Sequence, residues 1–168
     1  MSMGKNVEAN VKAKLGELSE AIFVRNEKRI YVDVPPENTL PANRIVFEEM
    51  GGRLATASGV DTRSRVEVLY HYCFDEAGVV VTLRTWAEKP DLDLDSVATI
   101  FPGAAFIERE IQDLLGVRFR GHPDPRRLIL ADDWPEGLHP LRKSFPKRQG
   151  SRPVGQLLEE LVGGGAHP

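Results

Sequence analysis

The chain has 168 residues, a net charge of −3 and one cysteine, Cys73. A single thiol excludes an intrachain disulfide, a cysteine-based zinc site, a CxxC redox pair and an iron–sulfur cluster held by this chain alone, which takes about four thiolates. No apolar run approaches the ~20 residues of a membrane span, the first residues lack an apolar signal core, and mild acidity argues against sequence-independent nucleic-acid binding. The length predicts one compact domain, soluble in a reducing compartment.

Val7, Val11, Leu15 and Leu18 recur at helical spacing, with Asn6 as the expected N-cap. Two β-type runs around Asn26–Lys28 then predict a tight hairpin that ends at Pro35–Pro36. Thr39 can cap a helix that carries Pro41 in its first turn and stops at Gly51–Gly52. Val66, Val68, Tyr70, Tyr72 and Phe74 alternate onto one face of a strand, and the run from Val79 supplies a second after a turn at Asp75–Gly78. Residues 53–60 offer a third. Lys89–Pro90 breaks the pattern, Ser96–Phe101 reads as a short helical piece, and a longer helix runs from Gly103 to Leu115, closed by Gly116. Together these predict an α+β domain over residues 1–117, with a mostly antiparallel sheet covered by helices on one side.

Beyond Val117 the character changes. Residues 118–153 hold six of the twelve prolines and show no helical or strand period. Between Arg118 and Arg148 there are eight Lys/Arg against four Asp/Glu. The same stretch carries Phe119, Leu128, Ile129, Leu130, Trp134, Leu138, Leu141 and Phe145, residues in which disordered segments are poor. Residues 118–168 therefore read as an extended docking tail that needs a partner surface. Arg126, Arg127, Arg142 and Lys143 are its expected polar anchors and Trp134 its buried one. Val154, Leu157, Leu158 and Leu161 predict a short amphipathic helix near the end.

Signals for chemistry are sparse. There is no GxGxxG, P-loop, HExxH or nucleophile elbow. His71 and Cys73 point to one strand face, half of a metal site with no second ligand pair, so a packing role is the better reading. His122 and His139 sit among prolines, where an interface role outweighs acid–base work. On the helix before the tail, Phe106, Ile107, Ile111, Leu114 and Leu115 define the apolar side. Arg109 and Asp113, four apart, read as an exposed ion pair. Glu110 falls between Phe106 and Leu114, which makes it the expected buried carboxylate, tethered by a tail arginine.

The run Glu108–Ile129, EREIQDLLGVRFRGHPDPRRLI, resembles the family of the 30 kDa subunit (also called C or 5) of NADH–quinone oxidoreductase, respiratory complex I. Its pattern falls on Glu108, Arg109, Glu110, Asp113, Leu114, Leu115, His122, Arg126, Leu128 and Ile129. The stretches DDWPEGLHPLRKSFP and DTRSRVEVLYHY extend the resemblance over roughly residues 20–147. It implies a small α+β domain that holds no cofactor and serves support and assembly. Its tail would lie over the large 49 kDa-type subunit, beside other peripheral-arm subunits, at the cytoplasmic face of the cell membrane. Ser144 replaces the usual acidic residue after Arg-Lys, and Pro123–Pro125 and Asp132–Gly137 look closer to versions attached to energy-converting [NiFe] hydrogenases or formate hydrogenlyase-like complexes. The equivalent subunit of such a complex is therefore the alternative expectation, and a free-standing enzyme a remote one.

Overall fold

In a computed structural model that describes residues 3–145, the first helix, α1, covers Met3–Leu15. It buries Val7, Val11 and Leu15 of the predicted stripe, while Leu18 falls in a following 3-10 turn, Gly16–Leu18, and is half-buried. It starts three residues before Asn6, which lies inside the helix instead of capping it. The predicted hairpin forms from β1 (Ala21–Asn26) and β2 (Arg29–Asp33). Asn26 closes its turn by accepting the Lys28 N–H.

Helix α2 (Thr39–Arg44) passes into a wide π-helical turn at Ile45–Glu49 and stops at Gly51, whose φ is +71°. Thr39 does not cap it. A short turn at Pro36–Asn38 already leads the helix, so the Thr39 hydroxyl turns inward and shares a 2.8 Å hydrogen bond with that of Thr85. Strands β3 (Arg53–Asp61), β4 (Arg65–Phe74) and β5 (Val79–Glu88) then form the antiparallel meander that the alternation predicts. β4 directs Val66, Val68, Tyr70 and Tyr72 into the core.

The sheet order is β1-β2-β5-β4-β3. Its pairs are antiparallel except β2–β5, which is parallel. A parallel pair needs a long connection, and here α2 and the β3–β4 hairpin supply it. The helices pack on one face, where the buried phenols bond helical groups: Tyr70 to Glu108 and Tyr72 to Asn43 of α2.

After Glu88 come β6 (Asp93–Asp95), a single 3-10 turn at Val97–Thr99, helix α3 (Ala104–Leu115) and β7 (Arg118–Arg120). α3 crosses β3 closely. A Cβ on Gly59 would stand 2.2 Å from Leu115 Cδ1, so any other residue there would displace that side chain. β6 and β7 pair in parallel and bury Leu94 and Phe119. Residues 118–120 are thus strand, although three residues are too few to show a period in sequence. The terminal helix expected from Val154 to Leu161 lies outside the described residues.

Candidate functional site

The chemistry-bearing groups of the Glu108–Ile129 run gather around α3. Glu108 is fully buried. Its Oε1 accepts the Tyr70 hydroxyl at 3.0 Å and the Val97 N–H at 2.7 Å, while Oε2 accepts the Ser96 hydroxyl at 2.5 Å. One carboxylate thereby ties together β4, the turn after β6, and α3. Burial raises its pKa, and the hydrogen bonds from Ser96, Val97 and Tyr70 work in the opposite sense. Burial, with the Glu108 carboxylate beside it, pushes the Tyr70 phenol well above its ordinary value, so Tyr70 stays a donor.

His122 closes this cluster, with Nε2 4.0 Å from Glu108 Oε2. Its Nδ1 accepts the Asp124 N–H at 3.0 Å, which leaves Nε2–H to donate to the Ala105 carbonyl at 3.1 Å. The ring therefore fastens the start of the tail to the first turn of α3.

The exposed side of α3 grips the segment beyond His122. Arg109 donates to the carbonyls of Arg126 at 2.7 Å and Arg127 at 2.8 Å, and Gln112 to that of Pro125 at 2.7 Å. Asp113 Oδ2 accepts three successive backbone N–H groups, Leu128 and Ile129 at 2.8 Å and Leu130 at 3.1 Å. Arg127 folds back onto the carbonyls of Ala131, Asp132 and Trp134, and Trp134 donates its indole N–H to Leu138 O at 2.9 Å. Trp134 also stacks on Phe145 at a 6.3 Å centroid separation.

The tail then returns across the C-terminus of α3. His139 Nδ1 donates to Asp113 O at 2.8 Å, the Leu141 N–H to Leu114 O at 3.0 Å, and Arg142 Nε to Leu115 O. The cationic Arg142 is favourably placed on the last carbonyls of the helix, because those carbonyls carry the negative end of its dipole. The return passes over Gly116, whose φ is +74° and where a Cβ would meet His139 Nε2 at 2.4 Å. The Lys143 N–H finally reaches Asp61 Oδ2 at 2.7 Å, while Lys89 Nζ lies 2.6 Å from Asp61 Oδ1. Burial opposes ionisation of Asp61, but Lys89 and the Lys143 N–H outweigh it and its pKa is lowered.

Three expectations are corrected here. Glu110 is exposed, and the buried carboxylate is Glu108, on the opposite side of the helix. Arg109 and Asp113 are not an exposed pair; each is spent on residues 124–130. Phe106, placed on the apolar side by periodicity, is 63% exposed. The inward face of α3 is instead Ala104, Glu108, Ile111 and Leu115.

A further difference concerns residues 118–145. They bond the domain's own helix, which supplies acceptors and donors along their path. Of the expected anchors, the guanidinium groups of Arg127 and Arg142 are bonded internally, and Arg126 forms a bidentate pair with Asp124. Glu108, Arg109, Asp113, His122, Arg127, Trp134 and Arg142 do come together; Glu110 stands apart.

On the opposite sheet face, His71 lies between the hydroxyls of Thr82 at 3.0 Å and Ser58 at 3.1 Å, and burial, aided by Arg29, lowers its pKa. Among the described residues no three His, Cys, Asp or Glu side chains are grouped to hold a metal ion, and no helix is long and apolar enough to cross a membrane.

Comparison with known proteins gives a consistent picture. The family model described as respiratory-chain NADH dehydrogenase, 30 Kd subunit, matches residues 32–151. The chain is 32% identical over 150 residues to the C subunit of NADH-quinone oxidoreductase from Geobacter sulfurreducens, an alignment covering 86% of this chain and 91% of that one. It is 36% identical over 100 residues to the fused C/D subunit of the Proteus mirabilis enzyme, covering 54% of this chain but only 16% of that longer one. Among solved structures, one polypeptide of the membrane-bound sulfane sulfur reductase, an archaeal respiratory membrane complex, superposes with a TM-score of 0.73 at 28% identity, covering 84% of this chain and 86% of that one.

Proposed function

Because the chain belongs to the family of the 30 kDa subunit of respiratory-chain NADH dehydrogenase, we propose that it is a cofactor-free assembly subunit in the peripheral arm of a complex I-like NADH–quinone oxidoreductase. It docks on the large 49 kDa-type subunit at the cytoplasmic face of the membrane. The carrying observation is how the Glu-Arg-Glu run is used. Arg109, Asp113 and His122 spend their polar atoms on shaping residues 122–130 over α3, and Glu108 spends its own on fixing that helix to β4 and the turn after β6. A scaffold for a shaped surface is suited to holding another protein. Relatives that carry the C and D parts in one polypeptide support the 49 kDa-type partner, since fusion joins proteins that work side by side.

A second reading assigns the chain to a membrane-bound complex with a different electron acceptor, such as an energy-converting [NiFe] hydrogenase. The archaeal sulfane sulfur reductase polypeptide favours it by sharing the fold over most of its length. Affinity purification of the native complex through this chain, followed by identification of the large subunit, tests both. A quinone-type large subunit supports the first reading, and one with a double CxxC nickel site supports the second. Recovery of the chain without any large subunit, with NADH oxidation by the chain alone, would overturn both.

A further inference from the structure

Three histidines lie among the described residues, and their ring nitrogens are used in different ways. His71 faces two hydroxyls, Thr82 at Nδ1 and Ser58 at Nε2, each of which can turn to donate or to accept. His139 Nδ1 faces the Asp113 carbonyl, which only accepts, so a second proton would go to Nε2 and leave that bond intact. His122 differs from both. Its Nε2 faces the Ala105 carbonyl at 3.1 Å and its Nδ1 the Asp124 N–H at 3.0 Å, so one nitrogen must donate and the other must accept. Only the neutral ring satisfies both. The side chain is 1% exposed, so water replaces neither partner without movement of the chain.

We propose that His122 is a proton-operated latch at the start of the strap formed by residues 122–145: protonation at Nδ1 ejects the Asp124 N–H and opens the 122–124 turn, while the ring stays on α3. The break falls on the strap side because the two sides respond differently to a charged ring. Toward the helix, the imidazolium keeps its Nε2–H on Ala105 O and is attracted to the Glu108 carboxylate, 4.0 Å away. Toward the strap, a donor would face a donor. The carboxylate on that side, Asp124, is already engaged by Arg126 at 2.7 and 2.8 Å and lies 3.5 Å from Arg109. Of the other charged or titratable groups nearby, Arg120 of β7 is paired with Asp95 of β6, and Tyr70 of β4 donates to Glu108. Opening stops at residue 124, since Gln112, Arg109 and Asp113 hold Pro125 to Leu130 without help from the ring. The latch goes beyond the docking reading and stands without it.

The test follows the isotope-labelled full chain by NMR from about pH 8 to about pH 5, the range in which imidazole changes charge. The His122 ring signals report protonation, and the Asp124 amide reports the latch. The Asp124 amide signal should shift with the same midpoint as the ring. Its protection against hydrogen exchange, corrected for the intrinsic effect of pH, should fall about tenfold across that midpoint. The amides of Leu128 and Leu141 should keep theirs. His122→Asn retains an acceptor oxygen near the place of Nδ1 but does not titrate, so its Asp124 amide should show no step. An Asp124 amide that ignores the ring titration, a ring that stays neutral throughout the range, or a step that persists in His122→Asn overturns the latch. If that variant does not fold, the contrast between Asp124 and Leu141 in the wild-type chain decides, and equal loss at both overturns it.

Discussion

The Tyr70 hydroxyl donates to the Glu108 carboxylate at 3.0 Å across 38 residues of sequence, and this bond fixes α3 to strand β4. Both side chains are fully buried. An anion in that place is tolerable only because Ser96 and Val97 also donate to it.

Replacement of Glu108 by Ala should therefore be severe. It leaves the Tyr70 and Ser96 hydroxyls and the Val97 N–H without their acceptor and opens a void, a loss of about 3 kcal/mol or more. Glu108→Gln keeps the shape and should cost less. Urea unfolding of both variants checks the order.

Two buried carboxylates, Glu108 and Asp61, should respond to pH in opposite senses. Glu108 has a folded pKa above its ordinary 4.5. Its favourable contribution is thus complete below 4.5 and is lost as pH rises through the raised value. Asp61 has a folded pKa below its ordinary 3.8, so its contribution is present above that value and is lost as pH falls through the lowered one. The stability advantage of wild type over Glu108→Gln should then shrink from acid toward neutral pH. That over Asp61→Asn should grow as pH rises from below 3.8. Denaturant midpoints from acid to neutral pH measure both.

Gly116→Ala should destabilise more than Gly78→Ala. Both glycines have positive φ, which costs a residue with a Cβ about 1–2 kcal/mol. Only at Gly116 does the added carbon also strike His139 and Arg142. Faster hydrogen exchange at the N–H groups of Leu141 and Arg142 in Gly116→Ala, with none in Gly78→Ala, would mark the loosened return of the tail.

Asp113→Ala should free the 128–130 loop while sparing the sheet. Charge-assisted hydrogen bonds are each worth about 1.5–3 kcal/mol, and this carboxylate holds three. Exchange at Leu128, Ile129 and Leu130 should accelerate about a hundredfold, with β4 and β5 protection unchanged.

Most of the fold was legible because it follows local periodicity. The alternation of Val66–Tyr72 and the i, i+4 spacing of Val7, Val11 and Leu15 depend on one face being buried, and those faces are buried. The parallel β2–β5 pairing was not, since alternation does not encode which edge a hairpin docks on. Around α3 the helical wheel failed in an instructive way. Periodicity centres the apolar side toward Phe106 and Leu114, because a carboxylate at Glu108 counts against the true inward face. The donors that permit that carboxylate, Tyr70, Ser96 and Val97, come from two other elements and carry no sequence mark of the pairing. The Glu-Arg-Glu run sits on one turn of α3, and its division of labour is visible only in three dimensions: Glu108 inward, Arg109 onto the strap, Glu110 to solvent. The internal bonding of the strap is not legible in sequence, because its partners Arg109, Gln112 and Asp113 have the pattern of an ordinary solvated helix face.

The most direct measurement is site-specific photo-crosslinking within the native complex, with the reactive side chain placed at position 129 in one variant and at position 23 in another. Ile129 belongs to the strap side of α3 and Phe23 to the far sheet face, and both are exposed. The account predicts that position 129 links to the 49 kDa-type subunit in high yield while position 23 does not. Crosslinks to that subunit from position 23 but none from position 129 would contradict it.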